Sequence, residues 1–214
     1  MKRQISLAAA LVGAIALGAC ADGTTGPADL GAAPAERRAS PNPGAPAPGN
    51  DPIAVIAIRA EFDELVGALG YVDTELGTGL VDLFLNGRDQ YTVFAPTDEA
   101  FVGLYALLST VLGADIDEIT DVPAPVVLDV LLYHVAEGRR AAVSVVPRRN
   151  ERTITPLLGE TFRVRTDATI QDGLTGLRTD AQIVSADISA RNGIIHVIDQ
   201  VLVPPSVVAA LTGN

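Results

Sequence analysis

The sequence has 214 residues but only one cysteine, Cys20, and one lysine, Lys2. One cysteine cannot form an internal disulfide, so the folded part must be stable on an apolar core alone. Basic residues are scarce as well. Without its first 19 residues the chain carries 26 acidic residues against 13 arginines, a net charge of −13. So acidic a chain is a poor candidate for nucleic-acid binding.

The first 19 residues are predicted to be a lipoprotein signal peptide. Lys2 and Arg3 form a positive region, and Ile5–Leu17 is an apolar run of 13 residues. As a helix this run is about 20 Å long, too short for a hydrocarbon core of about 30 Å. The segment Leu17-Gly18-Ala19-Cys20 resembles the lipobox of bacterial lipoproteins, whose cysteine carries the lipid. The alternative is an ordinary secretory signal, with Cys20 near the cleavage site by chance.

Lipidation of Cys20 would account for a lone thiol in an exported protein. The three acyl chains that the lipobox resemblance implies are enough for stable membrane anchoring. Ala21 occupies the position where an aspartate would resemble an inner-membrane retention signal. We therefore expect a membrane-anchored lipoprotein on the periplasmic or cell-surface face, in the outer membrane if the cell has two membranes.

Residues 20–50 are predicted to be the lipidated cysteine and a disordered linker. Of residues 21–50, 19 are Ala, Gly or Pro, and so few large apolar side chains cannot offset the entropy of folding. The linker reaches about 30 Å as a coil and about 90 Å as extended polyproline. One folded domain is expected at 51–207, followed by a C-terminal tail at 208–214.

The periodicity of apolar residues changes along the domain. Helical spacing predicts helices between residues 53 and 86, with a break at Gly70, then one after Thr97 and one over Ala124–Val135. The short run Tyr91–Ala95 is of the β type. In the second half the period becomes two. The strands predicted there are Val143–Val146, Thr153–Thr155, Phe162–Arg165, Ala168–Gln171, Ile183–Asp187 and Ile194–Val203. Helices followed by strands indicate an α+β fold.

Three motifs of this domain resemble those of the fasciclin (FAS1) domain. Tyr91–Phe101 (YTVFAPTDEAF) resembles its first signature, and Asn192–Pro205 (NGIIHVIDQVLVPP) resembles its second. Between them, Leu132–Val135 (LYHV) resembles the Tyr-His element of the family. The resemblance implies a single FAS1-like domain, a β-sandwich-like wedge of strands with several helices packed around it. It also implies an extracellular protein associated with adhesion.

The residues of these motifs are expected to hold the fold rather than to react. Pro96 cannot donate to a sheet, and Thr97 can cap the helix that follows it. In the second signature, apolar residues occupy both odd and even positions. This pattern predicts a central strand that is covered on both faces. His134 and His196 lie inside apolar runs, where a histidine is more often a hydrogen-bonded core residue than a ligand. The motif residues with structural roles are Phe94, Thr97, Asp98, Phe101, Tyr133, His134, Asn192, Gly193 and His196.

The sequence argues against an enzyme. No serine lies in a G-x-S-x-G turn, and the two histidines lack the spacing of a zinc site. The acidic stretch Asp115–Asp121 lacks the glycine and the twelfth-position glutamate of an EF-hand, so it is interpreted as a solvated loop. We therefore expect no catalysis, no cofactor and no metal.

Arginine is concentrated in one stretch. Residues 139–165 carry a net charge of +5, whereas the rest of residues 51–214 carries −17. Guanidinium groups bind carboxylate and phosphate through paired hydrogen bonds, so this stretch is a candidate surface for an anionic glycan, a lipid head group or an acidic protein. The alternative is that the arginines point outward from exposed strands and pair with neighbouring acids. The seven residues are Arg139, Arg140, Arg148, Arg149, Arg152, Arg163 and Arg165.

Two functions of different classes remain open. The first is a non-catalytic, lipid-anchored module of the cell envelope, which mediates adhesion or associates with a protein, an anionic polysaccharide or a matrix polymer, and which self-associates weakly. The second is a periplasmic or surface binder of a small apolar or anionic ligand. Such a binder needs an enclosed pocket of about 300 Å³ or more. The sequence does not identify the partner.

Overall fold

The computed structural model describes residues 45–176 and 178–212. The predicted signal peptide, Cys20 and most of the predicted linker lie outside these residues. The described part is an α+β domain, as expected, with seven α-helices and seven strands. The helices are α1 (Ile53–Arg59), α2 (Asp63–Leu76), α3 (Leu80–Asn86), α4 (Asp98–Leu112), α5 (Ala124–Tyr133), α6 (Ala142–Val145) and α7 (Pro205–Thr212). The strands are β1 (Tyr91–Pro96), β2 (Val135–Glu137), β3 (Arg152–Ile154), β4 (Phe162–Val164), β5 (Thr169–Gln171), β6 (Ala181–Ala190) and β7 (Gly193–Ile198).

The helices before the first strand are divided at a different place from the one predicted. The chain turns between α1 and α2, where Glu61 has a φ of 58°. Gly70, the predicted break, lies inside α2. A glycine in a helix costs about 1 kcal/mol relative to alanine, which burial of an apolar helix side outweighs. Ala68 and Val72, on that side of α2, are fully buried.

The first signature forms the expected corner between a strand and a helix. β1 ends at Pro96, and the hydroxyl of Thr97 accepts a hydrogen bond from the backbone N–H of Ala100 at 3.4 Å. The carboxylate of Asp98 accepts from the backbone N–H of Glu64 at 3.1 Å. Thr97 therefore caps α4, and Asp98 joins the start of α4 to the start of α2.

The strands form one sheet in the order β2-β1-β7-β6-β5-β4-β3. β1 and β7 are parallel, and the other neighbours are antiparallel. All six residues of β7 are buried, which confirms a central strand covered on both faces. The long strand β6 pairs with both β5 and β7, and its register shifts twice between Ile183 and Ile188. These irregularities bend β6, which divides the sheet into the sections β2-β1-β7 and β5-β4-β3.

The prediction of a strand at Val143–Val146 is wrong. Residues 142–145 form α6, a single helical turn, which buries Val145 completely and leaves Val143 56% exposed. A run of four mostly apolar residues is too short for its period to separate a strand from a helix turn.

The strand of the second signature is also shorter than predicted, because it ends at Ile198. Val201, Leu202 and Val203 are buried but are not part of the sheet. The backbone N–H of Leu202 donates instead to Nε2 of His134 at 2.9 Å, and that of Val203 donates to the carboxylate of Asp172 at 2.8 Å. Buried side chains thus replace the ladder partners that the pattern predicts.

The folded part extends beyond both predicted boundaries. The backbone N–H of Gly49 donates to the carbonyl of Ala190 in β6 at 3.2 Å, so the end of the predicted linker packs against the sheet. The predicted tail contains most of α7, which begins at Pro205 and ends at Thr212. Val207 of this helix is 7% exposed and packs in an apolar cluster with Leu211 at its edge.

Apolar side chains pack on both sides of the central strands. Phe101 and the alternate residues Val93 and Ala95 belong to the cluster beneath the helices. Phe94 belongs to a second cluster among the strands, where its ring meets that of Phe162 edge-on at 5.1 Å. Phe94 and Phe101 are thus buried, as expected. Because these clusters lie within residues 53–211, this part contains its own cores and is expected to fold by itself.

Candidate interaction surface

Five of the seven predicted arginines lie together at the β3–β4 end of the sheet. Arg148 and Arg149 are exposed in the loop that leads into β3, and Arg152 is its first residue. Arg163 lies on β4 opposite Thr153 of β3, and Arg165 follows two residues later. Alternation along β4 buries Phe162 and Val164 and exposes the two arginines. We call Arg148, Arg149, Arg163 and Arg165 the arginine face. Arg152 pairs with the buried Val164, so it points to the other side of the sheet from Arg163.

Little in the described residues neutralises this face. Arg163 pairs with Glu151 at 3.8 Å, and both side chains are largely exposed, so the pair contributes little stability. Arg152, which lies outside the face, donates to the carbonyl of Ser144. Arg148 and Arg149 have no acidic partner within the described part of the chain. With Glu151 included, the face keeps an excess of positive charge that is available to an anion.

Arg139 does not belong to an exposed surface, which corrects the sequence-based prediction. Its side chain is 6% exposed and donates to the carbonyls of Ala190 (2.9 Å), Gly193 and Ala47 (3.2 Å). It also donates to the hydroxyl of Ser189. Burial lowers the pKa of Arg139, although Asp187 acts in the opposite direction. The hydrogen bonds of Arg139 therefore join β6, β7 and the segment before α1, and we call this set of bonds the clasp.

Arg140 lies apart from the arginine face as well, since it follows β2 at the opposite edge of the sheet. Its side chain donates to the carbonyl of Glu137 at 3.1 Å. Its backbone N–H donates to the hydroxyl of Thr92 at 2.9 Å, and its carbonyl meets Nε2 of His196 at 2.9 Å. Its main role in the structure is thus to fix the end of β2 against β1 and β7.

His134 is a buried hydrogen-bonding residue at the end of α5. It is 2% exposed; Nδ1 lies 2.7 Å from the carbonyl of Val130, and Nε2 accepts from the N–H of Leu202. These two partners require a neutral ring with the proton on Nδ1. Burial accordingly lowers the pKa of His134 to about 4, and the charge of Arg178 acts in the same direction, against the bond to Val130.

His196 joins three segments in the same manner. Its Nδ1 accepts from the backbone N–H of Asp187 in the irregular part of β6 at 3.3 Å, while Nε2 bonds the carbonyl of Arg140. The ring is fully buried and lies 5.6 Å from that of Phe94. Burial lowers the pKa of His196, against the bond to Arg140 and the charge of Asp187.

Asn192 and Gly193 join the second signature to the helices. The Asn192 amide accepts from the N–H of Ile53 at 2.9 Å and donates to the carbonyl of Phe84 at 3.0 Å, which links α1 to α3. A Cβ at Gly193 would lie 2.3 Å from the carbonyl oxygen of Tyr91, a clash with backbone that the parallel β1–β7 pair cannot relieve. Only glycine fits there.

The hydroxyl of Tyr133 donates to the carbonyl of Thr161 at 3.0 Å, and its ring packs edge-on against Phe162 at 5.5 Å. Burial raises the pKa of Tyr133 above its ordinary value, and the charges of Asp172 and Glu160 add to this effect. Tyr133 thus remains a neutral hydrogen-bond donor. Most of the motif residues are thus buried and join neighbouring elements, whereas Thr97 and Asp98 are half-buried at the start of α4.

A buried ion pair that the sequence does not predict joins Asp172 to Arg178. Asp172, with a side chain 1% exposed, lies 2.9 Å from Arg178, and it also accepts from the N–H groups of Leu174 (2.9 Å) and Val203 (2.8 Å). Burial raises the pKa of Asp172, while Arg178 and the N–H donors act against it. The Asp-Gly pair at 172–173 predicts the turn, but nothing in the local sequence indicates that its carboxylate is buried.

A cavity of about 280 Å³ lies among α2, α4, α5 and α7, close to the size that a small-ligand binder needs. Leu65, Phe101, Val127 and Leu211 are among the side chains that line it. Within the described residues, no cluster of histidine, cysteine or acidic side chains is arranged to hold a metal ion. No helix in that same part of the chain is long and apolar enough to cross a membrane.

Residues 69–204, which are more than half of the chain, match the model of the Fasciclin domain family. The chain belongs to the fasciclin domain family. The match contains the first signature, the Tyr-His element and the second signature up to Pro204. The fasciclin domain therefore contains the central strands, α4, α5 and the arginine face.

Related proteins are found in bacteria. Protein sll1483 of Synechocystis sp. is 34% identical over 157 residues, which are 72% of this chain and 73% of that protein. The immunogenic protein MPB70 of Mycobacterium bovis is 31% identical over 215 residues, 96% of this chain and 100% of that protein. Among solved structures, a FAS1 domain pair of the insect cell adhesion molecule Fasciclin I is 17% identical, with a TM-score of 0.44. That alignment covers 65% of this chain and 45% of the insect chain.

Proposed function

We propose that this fasciclin-domain protein is a non-catalytic interaction module of the cell envelope, anchored through a lipid on Cys20. Membership of the fasciclin family supports an adhesive or matrix-associated role. The short apolar run and the lipobox-like segment before Cys20 support export and anchoring. The linker after Cys20 would hold the domain away from the membrane, where it can meet a partner.

The arginine face is the observation that favours an anionic partner. It presents four guanidinium groups at one end of the sheet, and one carboxylate, that of Glu151, pairs with them in the described residues. Guanidinium groups that are not already paired recognise carboxylates, sulfates and phosphates through paired hydrogen bonds. The partner is therefore an acidic polysaccharide or an acidic matrix polymer of the envelope.

A charge reversal tests this partner class. Residues 21–214 with Arg148 and Arg149 both changed to Glu should lose retention on a heparin column, while the melting temperature stays unchanged. The matched control changes Arg59 and Arg88 to Glu, because these exposed arginines lie in the helical half and the net charge changes equally. Equal losses in both variants would show that only net charge matters. Unchanged retention in the first variant would refute the arginine face as a binding site.

The anchor has a separate test. Cys20→Ala should abolish labelling by a fatty-acid probe and leave the protein either as an unprocessed precursor or as a soluble form. Cys20→Ser, which keeps the size of the side chain but lacks the thiol, should behave in the same way. Continued labelling of either variant would show that the lipid, if there is one, is attached elsewhere.

A further inference from the structure

The cavity beside α7 is apolar and large enough for a small hydrocarbon. Its volume of about 280 Å³ is almost twice that of an engineered cavity of about 150 Å³ that stays dry and binds benzene. By this comparison it has room for about ten carbon atoms. Aliphatic and aromatic side chains from α2, α4, α5 and α7 form its wall, among them Leu104, Leu108, Val126 and Val130.

The interior of the cavity offers no polar group to a ligand. His134 reaches the cavity, but Nδ1 is bonded to the carbonyl of Val130 and Nε2 to the N–H of Leu202. The other ionisable residue of the lining is Asp121, whose carboxylate accepts from the N–H groups of Asp117 and Glu118 at 3.0 and 3.1 Å. A ligand inside therefore gains apolar contact but finds no free partner for a polar substituent, which would be costly to bury.

One side of the cavity is formed by a strongly acidic loop. Ile116 and Ile119 line the cavity, and the stretch 115–121 that contains them has four acidic residues and no basic one. Repulsion by these charges disfavours a ligand that carries a carboxylate or a phosphate near this side. An uncharged ligand is not repelled in this way. The loop therefore discriminates against anionic ligands, while the interior of the cavity favours apolar ones.

We propose that the cavity enclosed by α2, α4, α5 and α7 binds an uncharged hydrocarbon chain of about ten carbon atoms and discriminates against the corresponding alkyl anion. This site lies among the helices, and none of the side chains that line it belongs to the arginine face. The proposal thus stands independently of the anionic partner proposed above.

Calorimetric titration of residues 21–214 tests the site with two probes of equal chain length. At pH 7.5 we expect 1-decanol to bind with one site per chain and decanoate, an anion at this pH, to bind at least tenfold more weakly. Changing Asp115 and Asp117 to Lys should narrow this ratio, and so should 1 M salt, because both weaken the repulsion. The affinity for 1-decanol should stay the same in that variant.

A cavity-filling variant locates the site. Val126→Phe, on the cavity wall of α5, should weaken binding of 1-decanol at least tenfold. Val102→Phe is the matched control, because Val102 is 66% exposed on α4 and does not line the cavity. Val130→Phe replaces Val126→Phe if the latter does not show a cooperative melting transition. Absence of saturable binding, equal affinity for decanoate, or unchanged binding in both cavity variants would overturn the proposal.

Discussion

The two ends of the sheet place arginine side chains in opposite environments. At the end formed by β2, β1 and β7, Arg139 is buried and donates to several backbone carbonyls. At the β3–β4 end, Arg148 and Arg149 are exposed and have no acidic partner in the described part. Arg148 and Arg149 lie only nine and ten positions after Arg139 in the sequence. The comparison shows that a run of like charges does not define a surface until the fold has placed each member.

The difference arises from the backbone around each arginine. β1 and β7 are parallel and adjacent, and β7 follows β6 through the tight turn at Asn192. Carbonyl groups of this turn and of the segment before α1 are directed inward, away from water, and Arg139 supplies donors for them. β3 is instead a three-residue edge strand next to a loop, where the arginine side chains are exposed. Charged residues on an edge also oppose unwanted strand pairing.

The largest effect is expected from breaking the clasp. Arg139→Ala should lower the free energy of unfolding by about 2 to 4 kcal/mol, because it removes buried hydrogen bonds to the carbonyls of Ala190 and Gly193 and leaves a cavity. Urea unfolding followed by circular dichroism measures this change. Arg140→Ala is the neighbouring control and should cost less than about 1 kcal/mol, since its side chain makes one exposed hydrogen bond. Similar losses in both variants would contradict the distinction between the two arginines.

At this end of the sheet, the sequence predicts the strands and the apolar core but not the buried polar contacts. The motif pattern correctly predicts the corner at Thr97, the central strand β7 and the buried Phe94. It does not predict the burial of Arg139, because the acceptors of Arg139 lie about 50 and 90 residues away in the chain. The burial of Asp172 is not predicted either, because it depends on how Val203, 31 residues away, packs against the turn that holds Asp172 and Arg178. Local patterns report periodicity, whereas the pairing of buried polar groups is decided by the tertiary fold.

Two segments near the C-terminus are assigned wrongly from the sequence for a related reason. Val201–Val203 has the apolar pattern of a strand, but its N–H groups bond the side chains of His134 and Asp172. Most of α7 lies in the predicted tail, and this short helix packs against α4 and α5, contacts that local sequence does not reveal. The cavity could not be foreseen at all, because it depends on how four helices meet.

The second expected effect concerns the turn beside the clasp. Asn192→Ala should lower the free energy of unfolding by about 1 to 3 kcal/mol, because the N–H of Ile53 and the carbonyl of Phe84 both lose a buried partner. Asn192→Asp keeps the acceptor for Ile53 but loses the donor to Phe84, so it separates the two bonds. Thermal unfolding of both variants measures the loss. A melting temperature equal to that of the wild type in the alanine variant would show that Asn192 does not join α1 and α3 to the sheet.

A third effect of similar or smaller size depends on pH. The pKa of His134 is about 4 in the folded protein and about 6.5 when unfolded. As the pH falls below 6.5 the unfolded chain binds a proton that the folded chain does not, so stability is present at neutral pH and decreases toward pH 4. Between pH 7 and pH 5 this residue should account for a loss of about 2 kcal/mol.

Urea unfolding of the wild type and of His134→Asn at both pH values measures the contribution of His134. The variant is expected to be less stable at pH 7 but to lose about 2 kcal/mol less on acidification. His196, whose pKa burial also lowers, remains in both proteins, so its contribution cancels. An equal loss in the two proteins would show that protonation of His134 is not linked to unfolding.

The smallest expected effect is self-association through the exposed end. The arginine face of one molecule is complementary in charge to the acidic helical half of another, and such a heterologous contact forms chains rather than closed dimers. Salt weakens it, because the Debye length decreases from about 10 Å at 0.1 M to about 3 Å at 1 M. Sedimentation velocity of residues 21–214 should therefore show weak association at low salt only, and none after Arg148 and Arg149 are changed to Glu. Association that persists at 1 M salt, or in the double variant, would mean that apolar contacts carry it and that the arginine face does not take part.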